Sequence, residues 1–341
     1  MKLSDFNYNL PDDLIADNPP EIRGTSRLLV LNRKSGDILD KKYSNVVDFL
    51  NVGDVLVLND TRVIKARLKA IKENGAEREL VILEKHSFDN DWHRHRVLYR
   101  RKLNVGDKLK VGEAQLVVEE IQGDGLAIVR SDVDLLKLTE SDGMVPLPPY
   151  MHRDATPLDV ERYQTIWADE SGSVAAPTAS LNMTDEILTS LKYKGIKVVY
   201  ITLHVGLGTF LPIRTDLVED HHMHQEHFEI KKSTIEIIQD AKKTNKRVIA
   251  LGTTVARTLE YASELIKQTP ADVSGEADIF IYPGYKFKTI DGLLTNYHAP
   301  KSTVLMLTSA FAGWDKLLPA YNHAVAQKYH FFSYGDSMLI L

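Results

Sequence analysis

A change of pattern within a single chain limits the folds open to it. From Asp54 to Arg130 the sequence is a series of short runs rich in Val, Ile and Leu (VLVLN, VIKARLKAI, ELVILEK, HRVLYRR, KLKV, QLVVEEI, LAIVR) separated by Gly-Asp or Asn-Gly turns. Such runs predict an all-β module, and closure into a small barrel removes its exposed edges. After the break at VPLPPYM (145–151) the pattern alternates between helix and strand. Thr184 caps a helix reaching Lys194, Gly195 stops it, and 196–203 reads as a buried strand. Helix 233–243, strand 247–251, helix 254–265, strand 278–282, a strand-like 293–298, helices over 302–313 and 316–329, and a closing strand SMLIL complete the series. The expected architecture is a mixed α/β domain, residues 1–60 and 150–341, with a small basic β-barrel domain, 61–149, inserted in it.

Charge divides the chain at the same place. Between Arg62 and Lys110 stand 14 Lys/Arg against seven acids, an excess of +7; set against the net −5 of the whole, the remainder carries −12. The basic stretch reads either as the solvated face of exposed strands or as a phosphate-tracking surface, because WHRHRVLYRRK (92–102) interleaves bases with aromatics. With no cysteine, disulfides, thiolate nucleophiles, thiolate zinc sites and cysteine-ligated clusters are excluded together. No apolar run approaches ~20 residues, and the start MKLSDFNYNLPDD has acids where a signal peptide needs an apolar stretch. A soluble cytoplasmic protein is expected.

Three Gly/Thr-rich turns end apolar runs: GSVAAPTAS (172–180), LHVGLGTFLP (203–212) and ALGTTVARTLE (250–260). In α/β domains ligands bind at the carboxyl ends of strands, where backbone N–H groups point at them. Gly252, Thr253 and Thr254 follow a strand and open a helix, a geometry suited to a carboxylate or phosphate oxygen. Arg257, one helical turn on, can add a bidentate contact, or can simply pair with Glu260 on the helix surface. HVGLGTF lacks the third glycine of a dinucleotide fingerprint, and Phe210-Leu211-Pro212 prevents a helix from starting there. Gly206 and Gly208 beside His204 suggest instead a backbone held against a flat ligand, with an imidazole able to move a proton. The cluster HHMHQEH (221–227) could set His221, His224 and His227 on one helical face. With no HExxH pattern and no second ligand group, it favours hydrogen bonding or proton transfer over a metal.

Taken in order, RGTSRLLVLNR, GDVLVLNDTRVIKARL, PLPPYMHR, ERYQTIWA, GSVAAPTA, HVGLGTF, MHQEHFEI, GTTVARTLE, IFIYPGYKFKTIDGLLTNYHAPKSTVLMLTSAFAG and FFSYGDSMLI span the chain. This series resembles the S-adenosylmethionine:tRNA ribosyltransferase-isomerase family of queuosine biosynthesis. The resemblance implies an α/β domain with an inserted barrel, and S-adenosylmethionine as a cosubstrate rather than a tightly bound cofactor. It implies transfer of the ribosyl group to 7-aminomethyl-7-deazaguanine in the anticodon loop of a tRNA with a GUN anticodon. Adenine and methionine leave, and the sugar rearranges to give epoxyqueuosine. A monomer is expected.

Under that resemblance the proton-transfer candidates are His204, His221, His224, Glu226, His298 and Asp60. The turn of Gly252, Thr253 and Thr254 with Arg257 would hold the methionine carboxylate. Ser173, Pro177 and Thr178, with Gly206, Gly208 and Thr209, would line the nucleoside pocket, and Arg62, Arg67, Arg100 and Arg101 would meet tRNA phosphates. One departure bears on activity: the family commonly reads AAPTAGLHFT where this chain reads AAPTASLNMT, so Asn182 stands where a histidine is usual. A divergent, noncatalytic tRNA-binding paralogue, or one acting on another substrate, is the alternative expectation; a methyltransferase is disfavoured by the missing glycine-rich motif.

Overall fold

The computed structural model of the chain describes residues 1–341 apart from 87–90, 207, 209–212 and 269–270. In chain order, β1 (Arg27–Leu31) and β2 (Ile38–Lys42) form a hairpin, followed by β3 (Val55–Asn59) and the short β4 (Thr61–Val63). Next come β5 (Arg67–Lys72), β6 (Glu77–Ile82), β7 (Arg94–Arg100), β8 (Lys108–Val111), β9 (Ala114–Gly123) and β10 (Leu126–Ser131). The chain returns through β11 (Glu170–Ser173), β12 (Lys197–Leu203), β13 (Glu226–Ile230), β14 (Val248–Leu251), β15 (Val273–Ala277), β16 (Gly292–Asn296) and β17 (Ser337–Ile340).

Among the described residues, nine strands make one sheet in the order β15-β13-β12-β3-β14-β16-β17-β1-β2, and β5 to β10 close a barrel. The four central strands β12, β3, β14 and β16 are parallel. Parallel strands are covered on both faces, so they carry continuous apolar runs. In β3 every residue is buried, with Val55 and Val57 in the core on one face and Leu56 and Leu58 in the core on the other. Helices Lys232–Lys243, Thr253–Tyr261 and Thr303–Ala312 bring Ile235, Leu259 and Leu305 to the first core; helix Asp185–Tyr193 brings Leu188 and Leu191 to the second. The barrel has a separate core and alternates instead: in β9, Ala114, Leu116 and Val118 point inward while Gln115 and Val117 face out. Edge strand β2, ILDKK, presents charged residues to solvent, which discourages edge-to-edge pairing. No helix among the described residues is long and apolar enough to cross a membrane.

The mixed α/β architecture with an inserted barrel agrees with the sequence reading, and several elements fall where periodicity put them. Thr184 Oγ1 accepts from Ile187 N at the start of helix Asp185–Tyr193, and Gly195 follows its end with φ 90°. Three local expectations are corrected. VLVLN, read among the runs of the β module although the expected boundary at residue 60 leaves it in the α/β domain, is the central sheet strand β3, because burial on both faces suits an unbroken apolar run. The strand expected at 278–282 lies earlier, at Val273–Ala277, where the polar VSGEA pairs with β13. The helix expected over 254–265 is two, Thr253–Tyr261 and Ser263–Gln268, divided at Ala262.

Placing β3 between two cores makes a stability prediction. Leu56→Ala, fully buried in the sheet, is expected to cost about 2–5 kcal/mol in denaturant unfolding of the α/β domain. Destabilisation confined to the barrel transition would contradict that placement.

Candidate active site

The ends of the parallel strands define one large cavity, of about 540 Å³. Its walls come from the turns after β11, β12, β14 and β16: Ala176 to Ala179, Val205, Gly252 to Thr254, and Thr295 to Ser302. Tyr150, Phe332 and Ser333 close another side, with the two rings 4.7 Å apart, and the Tyr150 hydroxyl bonds the Ser333 side chain. The lining is mostly apolar with a few polar groups placed among it, and the volume falls within the range of small-molecule sites.

Two helices begin at this cavity. Gly252, at φ 95°, turns the chain from β14 into helix Thr253–Tyr261, a backbone shape that disfavours other residues. Ser302 caps helix Thr303–Ala312 by accepting from Leu305 N. The first N–H groups of a helix lack intrahelical acceptors and carry partial positive charge, so both starts favour an anion. Beside them, Thr254 Oγ1 and Thr303 Oγ1 are buried without a hydrogen-bond partner and line an adjoining space of about 30 Å³. That space has room for a group of a few atoms.

Of the residues expected at the site, Pro177, Thr178, Gly252, Thr253, Thr254 and His298 line the cavity. Thr178 Oγ1 donates to Asn296 Oδ1 at 3.1 Å. His298 is held by its backbone, its carbonyl accepting from Tyr8 OH and its N–H donating to Tyr321 OH; its Nε2 lies 3.0 Å from Thr295 Oγ1. Burial pushes the His298 imidazole down to about 3, so it is neutral at physiological pH.

A second group sits behind the cavity wall. Ser173 Oγ donates to Ala175 O at 2.7 Å and accepts from Val205 N at 2.8 Å, fastening the GSVAAPTA turn to the one after β12. His204 Nδ1 lies 2.8 Å from Thr61 Oγ1, and burial, then the charges of His227, Lys85 and His86, hold the imidazole down to about 3. The glycines here leave space for neighbouring side chains. A Cβ on Gly206 would lie 2.6 Å from the Glu84 carboxylate, and one on Gly208 would lie 2.5 Å from the His224 ring. Gly206 and Gly208 therefore make room for Glu84 and His224, where sequence suggested room for a flat ligand. Thr209 lies outside the described residues.

Arg257 does not line the large cavity but lies on the wall of the adjoining space of about 30 Å³, together with Glu226. Its Nη1 donates to Glu226 Oε2 at 2.5 Å, Nη2 to the carbonyls of His224 and Ala277 at 2.6 and 2.7 Å, and Nε to Ile279 O at 3.2 Å. The guanidinium thus meets the protein's own carboxylate, and the surface pairing with Glu260 is not made, because Glu260 caps the backbone of 288–290. Burial opposes ionisation of Glu226, yet Arg257, His224 and the Gly206 N–H outweigh it and hold the carboxyl down to about 2. Residues 221–225 are not helical and lead directly into β13, so the three-residue spacing of histidines does not gather them on a face. His221 rests edge-on against Phe280 at 5.0 Å, His224 lies 3.3 Å from Glu226, and His227 faces Glu229 and Glu276. Among the described residues no group of His, Asp or Glu is arranged to hold a metal ion.

Asp60 stands apart, in a cavity of about 380 Å³ with Glu170, Glu229 and Lys231. It accepts from Thr202 Oγ1 at 2.7 Å, and burial, Glu170 and Asp169 raise its carboxyl to about 6. The four arginines are on separate elements, Arg62 outside the barrel and Arg67 and Arg100 on barrel strands. Arg62 donates to Ala168 O from β4, Arg67 begins β5, Arg100 faces Glu79 across β7 and β6, and Arg101 follows with φ 66°. Asn182 is locked away from the cavity: Nδ2 donates to Gly335 O and Ser337 Oγ, and Oδ1 accepts from Ser26 Oγ.

Sequence reasoning passed over Tyr150, Asn296 and Phe332. All three lie inside quoted motifs, but none titrates near neutrality, so a search for acids and bases does not find them.

An α/β catalytic scaffold with an appended barrel and a polar-studded cavity at its strand ends is the class defined by this geometry. A family described as queuosine biosynthesis protein matches residues 3–340. The S-adenosylmethionine:tRNA ribosyltransferase-isomerases of Pelodictyon phaeoclathratiforme and Chlorobium phaeovibrioides are 53% and 52% identical over 344 residues, covering all of both chains. The same enzyme of Francisella tularensis is 45% identical, over all of this chain and 99% of that one. The crystal structure of S-adenosylmethionine tRNA ribosyltransferase from Thermotoga maritima matches with TM-score 0.57 and 32% identity, over 98% of this chain and 99% of that one. The chain belongs to the queuosine biosynthesis family of S-adenosylmethionine:tRNA ribosyltransferase-isomerases. Relatives that carry an enzyme's name do not favour the noncatalytic alternative.

The buried pair fixes a pH-dependent outcome. Glu226 has a folded-state value near 2 against an ordinary 4.5, so the stability it supplies is complete above about pH 4.5 and declines as pH falls toward 2. Glu226→Gln is expected to cost about 3–5 kcal/mol at neutral pH, because it leaves a buried guanidinium without its countercharge, and less below pH 4. Equal destabilisation at pH 7 and pH 3 in chemical denaturation would contradict the pairing.

Proposed function

We propose that this protein transfers and isomerises the ribosyl group of S-adenosylmethionine onto 7-aminomethyl-7-deazaguanine in the anticodon loop of a tRNA with a GUN anticodon. The products are epoxyqueuosine-tRNA, adenine and methionine. The observation that carries this reading is the full-length family match combined with the large cavity at the strand ends. S-adenosylmethionine is consumed in each turnover, and the protein works in the cytoplasm as a monomer.

The donor lies along the cavity in this reading. Its methionine carboxylate meets the backbone N–H groups at Thr253 and Thr254 and the hydroxyls of Thr254 and Thr303, where two helix starts favour negative charge. Its adenosine lies against Pro177 and Thr178, with Tyr150 and Phe332 offering aromatic surface.

The chemistry asks for a base and an acid. A sulfonium acidifies the ribose methylene bonded to it, so a base must take that proton, and adenine must gain one as it departs. Two candidates differ in which requirement they meet. Asp60, raised to about 6, is tuned close to neutrality but lies in a different cavity. His298 is on the wall of the donor cavity and neutral, and the burial that keeps it neutral also weakens it as a base. Reach comes before tuning, which selects His298 for the proton step. His204, Glu226 and Arg257, with His221 and His224, act from behind the wall by holding the turns. The arginines at 62, 67, 100 and 101 supply phosphate contacts.

Incubation with S-adenosylmethionine and tRNA bearing the 7-aminomethyl base is expected to release adenine and methionine in equal amounts and leave epoxyqueuosine in the tRNA, read by mass spectrometry. tRNA binding with neither product would overturn the reading. His298→Ala is expected to slow adenine release by about 10²–10⁴-fold while the donor still binds; an unaltered rate removes His298 from the proton step. Replacing Arg100 and Arg101 by Ala is expected to weaken tRNA binding and flatten its salt dependence by roughly one unit of log–log slope for each phosphate left unneutralised. An unchanged slope would place the tRNA elsewhere.

A further inference from the structure

The donor cavity leaves unexplained a buried chain of titratable side chains at the junction of barrel and sheet. Beyond β6 the backbone leaves the barrel: Lys85 N donates to Gly172 O at 2.9 Å, and Glu84 and His86, both buried, reach the α/β domain. His86 Nδ1 lies 2.7 Å from Glu276 Oε2 on β15, and its Nε2 lies 3.3 Å from Glu84 Oε1. The other oxygen of Glu276 lies 3.3 Å from His227 Nδ1 on β13, whose Nε2 lies 3.3 Å from Glu229. His227 then meets His204 twice, its carbonyl accepting from His204 N at 3.0 Å and its ring facing the His204 ring with centroids 6.0 Å apart. Lys85 and Arg96 add positive charge nearby.

A buried ionic cluster contributes little stability over apolar packing of the same shape, so stability alone is a weak reason for one. Its route is more informative. It starts on the barrel, crosses two strands of the sheet and ends at His204, whose neighbour Val205 is part of the cavity wall. The backbone is shaped around it: a Cβ on Gly172 would lie 2.9 Å from the His204 ring, and one on Gly206 would lie 2.6 Å from the Glu84 carboxylate.

We propose that Glu84, His86, Glu276 and His227 form a clamp that fixes the barrel against the turn at His204 and Val205. A tRNA seated on the barrel then meets the donor in a set position. His86 and Glu276 are positioning residues for the transfer reaction. The proposal rests on the reading that the 540 Å³ cavity holds the donor.

The test uses the full-length protein and three readouts: kcat and KM with each substrate, equilibrium S-adenosylmethionine binding without tRNA, and amide exchange at His204 and Val205. His86→Ala is expected to lower kcat by about 10²-fold, the scale for misplacing reactants by an ångström, with donor binding unchanged and exchange at the turn accelerated. His86→Asn, whose amide can donate to Glu276 in place of Nδ1, is expected to restore most of the rate. Glu276→Gln keeps the shape of the site and is expected to act in the same direction, and joined to His86→Ala it should add little, because both remove one interaction. Full kcat in folded His86→Ala, an equally slow His86→Asn, or additive effects in the double variant would overturn the clamp. Failure of the donor-site reading is seen separately, as absence of amide protection at Thr253 and Thr254 by S-adenosylmethionine in the unaltered protein, and it would overturn the clamp with it.

Discussion

The guanidinium of Arg257 is the contact on which the rest of the site depends. From the first turns of helix Thr253–Tyr261 it donates to Glu226 on β13, to the carbonyls of His224 and Ala277, and to Ile279 O beyond β15. Two buried charges are costly to desolvate, and the cost is offset only where geometry is good and the remaining donors find acceptors. Here the acceptors come from two separate segments, so satisfying one side chain ties the histidine segment and the end of β15 to the helix that carries Arg257. Of the cavity wall, Gly252 to Thr254 lie at the start of that helix. Residues 278–282 leave the sheet, and Ile279 O accepts from Arg257 there.

That arrangement separates charge that holds the site from charge that can act in it. Glu226 is kept ionised and occupied; His204 is neutral and bonded to Thr61; Asp60 is raised but lies in its own cavity. His298 alone among the expected proton carriers reaches the large cavity. Asn182 fits the same division. Its amide is bonded on both sides by Ser26, Gly335 and Ser337, and it is not part of the cavity lining.

Much of the fold was legible because burial imposes periodicity. The alternating barrel strands, the Thr184 cap and the unbroken apolar runs of β12 and β14 each state their environment locally. Misreadings arose where tertiary contacts decide. VSGEA makes a strand because β13 offers it a partner, although it has little strand propensity of its own, and the more apolar DIFIY does not. The turns after the strands announced the site, and Pro177, Thr178, Gly252 to Thr254 and His298 do meet at one cavity. What Arg257 and the glycines at 206 and 208 touch could not be read, because Glu226, Glu84 and His224 reach them only in the folded chain. Tyr150 and Phe332 come from motifs some 180 residues apart, a convergence that no local pattern encodes.

The location of the donor is the claim that everything else rests on, and hydrogen–deuterium exchange with and without S-adenosylmethionine tests it directly. Protection concentrated at Gly252 to Thr254 and in the segment from Tyr297 to Val304 is the result predicted by the cavity at the strand ends. Protection confined to the strand residues around Asp60, Thr202 and Glu229 would place the donor in the acidic cavity and contradict the account.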